Sequence, residues 1–218
     1  MRDEQIYEAM ARLRQVKRAW LLPHVTEIAA TQRDPFRVLI STVLSLRTQD
    51  ATTAAASNRL FALAATPRDM LSLTTQQIQS AIYPVGFYRI KAGHILEICR
   101  ILLDDYQGRV PDEIAELVKL PGVGRKVANL VVTLGYNKPG ICVDTHVHRI
   151  SNRWGYVQTK SPDKTETALR AKLPPEYWIE YNDTLVMFGQ NVCHPTSPRC
   201  TICPLTDFCE RIGVVRSR

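Results

Sequence analysis

The sequence predicts an all-α protein. Proline-marked helix starts recur along it, apolar residues fall at spacings of three and four, and the period-two alternation that strands need is scarce. The first helix carries Ile6, Met10, Leu13 and Trp20 on one stripe and is stopped by Pro23. Asp34-Pro35 reads as an N-cap followed by proline at the first helical position, and Thr66-Pro67 and Ser161-Pro162 repeat the pattern. Thr74 with Gln77 is the signature of a capping box. The helix after Asp34 is apolar nearly all round (Phe36, Val38, Leu39, Ile40, Val43, Leu44), which predicts burial at the centre of the fold. Ile95, Ile98, Cys99 and Leu102 make a further apolar face closed by Gly108, so Cys99 reads as a small core residue. A short helix over about Asp112 to Lys119 leads through a glycine-rich turn into another, whose Val127, Leu130, Val131 and Leu134 form a buried stripe. Cys142, in the connecting segment that follows, reads as core as well.

At 218 residues the chain suffices for one large domain or two small ones. With 45% apolar and 22% charged residues it is an ordinary globular sequence, which excludes disorder, collagen and coiled coil as its main character. Its apolar runs, such as Leu130 to Val132 within Val127 to Leu134, fall far short of the roughly 20 residues needed to cross a bilayer. The first residues are charged and lack the apolar stretch of a signal peptide, so the expectation is a reducing cytoplasm in which cysteines are thiols or metal ligands. A net charge of +7 with a pI near 9.2 favours an acidic partner such as nucleic acid.

Four of the six cysteines crowd into the last 26 residues as Cys193-x6-Cys200-x2-Cys203-x5-Cys209. A structural zinc site usually uses two close cysteine pairs, and here there is one. A [4Fe-4S] cluster needs one thiolate per iron, and a 17-residue loop can wrap around it. The spacing favours the cluster over zinc and over scattered core cysteines, with all three open. His194 is a candidate for packing behind the thiolates, with a solvent-exposed histidine the plainer reading.

Leu120-Pro121-Gly122-Val123-Gly124-Arg125-Lys126 sits between two helices. Glycines there let the backbone approach a ligand, and the N–H groups that open the second helix suit a phosphate, so such a turn can grip a DNA backbone without reading sequence. An ordinary helix corner is the alternative. Lys126 lies in the first turn of that helix, where the dipole and Arg125 disfavour its protonated form; a solvated surface lysine is the alternative. Eighteen residues on, Val143-Asp144-Thr145-His146 places a carboxylate at a helix start, where it can also serve as an N-cap. An amine and a carboxylate together suit ejection of a base and formation of a Schiff base at a sugar carbon.

The hairpin, the Val-Asp-Thr-His segment and the cysteine loop occur in the order and spacing of the endonuclease III family of helix-hairpin-helix DNA glycosylases, and the chain resembles that family from about Asp34 to Arg211. The resemblance implies a helical barrel domain over residues 23–135, with the helix-hairpin-helix at about 112–135. It implies a discontinuous cluster domain over 1–22 and 136–218, with the cluster loop at 193–209 and a DNA-binding cleft between the two domains. It further implies a bifunctional glycosylase/AP lyase acting as a monomer on double-stranded DNA that carries an oxidised pyrimidine or an abasic site. Lys126 matches the nucleophile, Asp144 the catalytic carboxylate, and Cys193, Cys200, Cys203 and Cys209 the ligands of a [4Fe-4S] cluster. Gly122, Val123, Gly124 and Arg125 match the DNA-gripping turn. Where the family usually reads Ser-Ala-Gln-Ala-Thr-Asp, this chain has Ser45-Leu46-Arg47-Thr48-Gln49-Asp50, so Arg47 or Gln49 takes the place that plugs the gap left by a flipped base. Phe87 matches a second wedge position, with a turn-anchoring contact as the alternative. Arg149, Arg153 and, on the cluster loop, Arg199 are candidate phosphate contacts, with solvated surface charge as the alternative for each. A monofunctional mismatch or uracil glycosylase, and a non-catalytic DNA-binding iron-sulfur protein, are the competing functions.

Overall fold

The computed structural model describes residues 1–31 and 33–218. Among them the regular structure is helical: α1 (Gln5–Val16), α2 (His24–Thr31), α3 (Pro35–Ser45), α4 (Asp50–Leu63), α5 (Pro67–Leu71), α6 (Thr75–Ile82), α7 (Tyr88–Tyr106), α8 (Ile114–Leu117), α9 (Arg125–Leu130), α10 (Thr145–Arg153), α11 (Pro162–Lys172) and α12 (Trp178–Asn191). None of these helices is long and apolar enough to cross a membrane. The chain divides into two compact units, His24–Gly140 and the pair of segments Met1–Pro23 with Ile141–Arg218. The second junction thus falls after Gly140, and residues 136–140, read from sequence as part of the cluster domain, belong to the first of these units.

In the His24–Gly140 unit, α3 is the centre. Asp34 caps it, its Oδ1 accepting from the amides of Phe36 (2.9 Å) and Arg37 (3.3 Å), and Pro35 sets the first helical φ. Eight of its residues, Phe36 and Val38 through Leu44, are buried. Helices α2, α4, α7 and α9 pack against it. Both oxygens of Asp50, at the start of α4, accept from the amide of His24, which fixes the entry to α2. Thr66 and Thr74 cap α5 and α6 as their sequences predict, the latter as a full capping box. The apolar stripe of α7 is buried, Cys99 with it, and that thiol is pushed up to about 12 by burial.

Three elements depart from the sequence expectation. The helix before the hairpin is a single turn, because only Leu117 of that segment reaches the core. After Leu130 the second hairpin helix widens into a π-helical turn, Val131–Gly135, buried on every side rather than along one stripe. Trp20 leaves the first helix: α1 ends at Val16, a 3-10 turn spans Lys17–Ala19, and Trp20 is extended, its ring 6.5 Å from that of Phe188.

The other unit is built on one core that joins Ile6, Met10 and Leu13 of α1 with Val147 and Ile150 of α10 and Tyr181, Leu185 and Phe188 of α12. Fully buried Trp154 packs 6.2 Å from Phe188. Ser161 caps α11 by accepting from the amide of Lys164.

The capping of α3 yields a direct test. Asp34→Ala should lower unfolding stability in urea by about 1 kcal/mol; a change of only a few tenths would show that the cap is not what starts the central helix.

Candidate functional site

The hairpin is pinned from inside. Leu117, Leu120, Val123 and Val127 recur at steps of three and four and are all buried, while Gly122, Gly124 and Arg125 between them are exposed. Successive tight turns close it, Leu120 N–H donating to Leu117 and Val123 N–H to Leu120, each at 3.1 Å. The two glycines differ. Gly122 has φ +74°, and a Cβ there would lie 2.6 Å from His94 Nδ1, so both conformation and space demand glycine. Gly124 caps α9 with extended backbone and has open space around its Cα, so the room it leaves faces outward. Lys126, the second residue of α9, is half-buried beside Val127.

Asp144 is the N-cap of α10. Its Oδ1 accepts from the amides of His146 (2.8 Å) and Val147 (2.9 Å), so both capping bonds fall on one oxygen. Val143 and Val147 on either side are sunk in the core and hold the carboxylate half-exposed at the helix end. The cap reading and the candidate catalytic reading describe the same geometry: capping fixes one oxygen and orients the other. Lys126 lies in the His24–Gly140 unit and Asp144 in the other.

Arg47 and Phe87 come together. Both have left-handed backbone (φ 54° and 58°), both are exposed, and the Arg47 guanidinium lies 5.4 Å from the Phe87 ring centroid. They line one pocket with Gly122 and His94. Gln49 is the N-cap residue of α4 and its side chain makes no cap bond. Phe87, 56% exposed, is not an anchoring core contact.

The four loop cysteines take part in no disulfide and line a single pocket walled by Trp154, Phe188 and Pro198. Burial pushes Cys203 up to about 11 and raises Cys209, and neighbouring sulfurs add to both shifts, so a cationic centre is what would hold these two as thiolates. Donors already face the sulfurs: Arg153 Nη1 is 3.5 Å from Cys193 Sγ and the Arg211 amide 3.4 Å from Cys209 Sγ. Among the described residues, no three His, Cys, Asp or Glu side chains gather around one ion-sized point. Four thiols lining one pocket match the one-thiolate-per-iron requirement of a [4Fe-4S] cluster. The residues fit a [4Fe-4S] group.

Two arginines expected to face phosphate turn inward instead. Arg153, 8% exposed, donates from Nη1 to the carbonyl of His194 (2.6 Å) and from Nη2 to that of Pro195. Arg149 Nη2 donates to the Cys193 carbonyl (2.9 Å) and meets His146 Nδ1 (3.1 Å), and burial lowers the guanidinium's pKa. Both therefore lash the loop to α10. Their inward direction leaves no sequence trace, since arginine serves either purpose. Arg199 is exposed at the pocket rim. His194, read as exposed, is half-buried with Nε2 sealed, and its ring is pushed down by burial and then by Arg199, Arg218 and Arg149. Sequence reading missed Lys91, 5% exposed; the legible signal was a lysine in register with Ile95, Ile98 and Leu102 on a buried stripe.

Residues 40–175 match the HhH-GPD superfamily of base excision DNA repair proteins, and residues 193–209 match the iron-sulfur binding domain of endonuclease III. Endonuclease III of Thermotoga maritima is 50% identical over 179 residues, 82% of this chain and 84% of its own. That of Bacillus subtilis is 38% identical over 191 residues, 87% of each chain. The solved structure of a trapped endonuclease III–DNA covalent intermediate, an estranged-adenine complex, is 34% identical and covers 97% of both chains with a TM-score of 0.85. With hairpin, capped carboxylate and four-thiol loop all in place, the chain belongs to the endonuclease III family of the HhH-GPD superfamily.

Proposed function

We propose that Lys126 is the nucleophile and Asp144 the catalytic carboxylate of this chain's DNA glycosylase/AP lyase activity in base excision repair, with oxidised pyrimidines in duplex DNA as the bases removed. The observation that carries the assignment is the placement of Lys126: a half-buried amine in the first turn of α9, beside a hairpin whose apolar side is pinned and whose glycine side is open. The trapped covalent intermediate of a relative with DNA supports an attack of this kind.

Attack of the neutral Lys126 Nζ on C1′ of a flipped nucleotide breaks the glycosidic bond, and the base leaves with the bonding pair and takes up a proton. Loss of the amine's proton and opening of the sugar ring give a C1′–Nζ Schiff base. Removal of a C2′ proton then expels the 3′ phosphate, nicking the strand, and water releases the lysine. Asp144 stabilises the positive charge that develops on the sugar and helps activate the amine by accepting its proton as it attacks. Exposed Gly122, Gly124 and Arg125 bind the backbone without base contacts, which suits an enzyme that must scan any sequence. The net charge of +7 supports the encounter.

Cys193, Cys200, Cys203 and Cys209 hold the [4Fe-4S] cluster. When bound, the cluster cross-links the loop through iron–thiolate bonds. Arg153 orients the loop from behind through its bonds to Cys193 Sγ and the next two carbonyls.

Borohydride should trap the wild-type protein on duplex DNA bearing either thymine glycol or an abasic site. Lys126→Ala should give no adduct while still binding duplex, and persistent trapping in that variant would displace Lys126 from the mechanism. Asp144→Asn should slow excision by on the order of a hundredfold with binding intact, and near-normal turnover would remove the carboxylate from it. Arg153→Met should lose iron to a chelator faster and retain fewer irons per chain than wild type; unchanged content and release rate would mean that the clamp does not support the loop.

A further inference from the structure

Lys91 breaks the pattern of its own helix. It stands on the buried stripe of α7, in register with Ile95, Ile98 and Leu102, where an apolar residue belongs. Its Nζ donates to the carbonyls of Leu44 (2.8 Å) and Leu46 (2.6 Å) and to Thr48 Oγ1 (3.4 Å). It forms no ion pair among the described residues, and burial pushes its pKa down to about 8. Taking an ammonium out of water without a carboxylate is costly, so packing alone favours leucine or methionine here.

What the cation supplies is geometric. Leu44 and Leu46 lie where α3 runs out of ladder partners and its dipole is negative, and a point charge with three rotatable donors satisfies several acceptors at once. Leu46 and Thr48 flank Arg47. Thr48 Oγ1 also accepts from the amide of Gly86 (3.1 Å), and a Cβ at Gly86 would sit 2.5 Å from the Arg47 carbonyl oxygen. The two loops are thus in backbone contact, one ending in Arg47 and the other in Phe87. Both of those residues are non-glycine in left-handed backbone, a strained conformation that persists only where surroundings over-determine it. The bonds from Lys91 and Thr48 are those surroundings.

We infer that Lys91 is a positioning residue for the plug that enters the duplex when a base is flipped out: it holds Arg47 and Phe87 as a single tip. The inference rests on the glycosylase reading above and adds to it a residue that touches neither base nor sugar.

The test uses full-length, cluster-loaded protein. With duplex thymine glycol DNA, Lys91→Met should lower single-turnover excision about tenfold or more. Cleavage of an abasic site in single-stranded DNA, where no orphan base is left to plug, should stay within about twofold of wild type. Thr48→Ala, which removes the shared hydroxyl without leaving a buried charge, should lower duplex excision alone by about threefold. Unchanged duplex excision, or equal loss on both substrates in both variants, would overturn the inference. A second readout needs no chemistry: 2-aminopurine facing an uncleavable tetrahydrofuran abasic analogue should change fluorescence on binding wild type. That response should be lost in Lys91→Met and in Arg47→Ala, and its retention in Lys91→Met would overturn the inference. A wild-type protein that excises nothing would sink the glycosylase reading, whereas the fluorescence comparison would still decide the role of Lys91.

Discussion

The complete burial of α3 is the constraint on which the His24–Gly140 unit depends. A helix with no solvent face must be surrounded, and α2, α4, α7 and α9 together with the π-helical turn supply the surround. Because α9 packs on α3, the hairpin that opens α9 is held at fixed height, and Lys126 with it. Because α3 ends inside the protein, its last carbonyls need donors, and Lys91 reaches them from α7. The end of the central helix therefore becomes the base of the Arg47 loop. One packing decision, made by a run of apolar residues between Phe36 and Leu44, places both the candidate nucleophile and the candidate plug.

In the other unit the corresponding element is α10. Its start is capped by Asp144, its middle carries Arg149, and its last residue is Arg153. Val147 and Ile150 seat it in the core, so all three charged groups are referred to the same apolar anchor. The cluster loop is rich in proline and polar residues, and its apolar anchors are few: Leu205 is fully buried and Phe208 packs against the same core. Hydrogen bonds from the two arginines to the carbonyls of Cys193, His194 and Pro195 add to that anchor at the start of the loop. Charged donors in a half-buried setting make strong bonds to carbonyls and leave costly orphans when removed. That explains why arginine, rather than an apolar residue, stands at both positions.

The sequence showed most clearly what is decided within three or four residues. The caps at Asp34, Thr66, Thr74 and Ser161 form because side chain and amide lie a turn apart, and no distant contact can easily overrule them. The spacing of Cys193, Cys200, Cys203 and Cys209 was equally legible, since cluster ligands must lie close along the chain to close a small loop. What could not be read is what depends on tertiary direction. Arg149 and Arg153 look the same as phosphate-binding arginines until their guanidinium groups are seen turned inward. The left-handed backbone of Arg47 and Phe87 has no glycine to announce it. The π-helical turn after Leu130 follows from burial on all sides, whereas the sequence pattern suggested one buried stripe. Lys91 was visible in principle as a charge in register with a buried stripe, but a single lysine on a helix is ordinarily surface.

Arg47 is one of the two candidates for the plug position, and the structure shows how its charge is accommodated. A guanidinium is planar and more weakly hydrated than an ammonium, so it can lie against the Phe87 ring at 5.4 Å while remaining exposed. The ring in turn is kept out of the core by the left-handed backbone at Phe87. Each residue thus gives the other a surface to rest on outside the duplex. The pair has one flat apolar face and one planar set of donors, which suit the π face of an orphaned base and the acceptor atoms on its edge. A lysine at position 47 would keep the charge and lose the plane, and a leucine at 87 would keep the apolar contact and lose the stacking face. Arg47 and Phe87 are therefore packed as one unit, and a change at either alters the surface offered by the other.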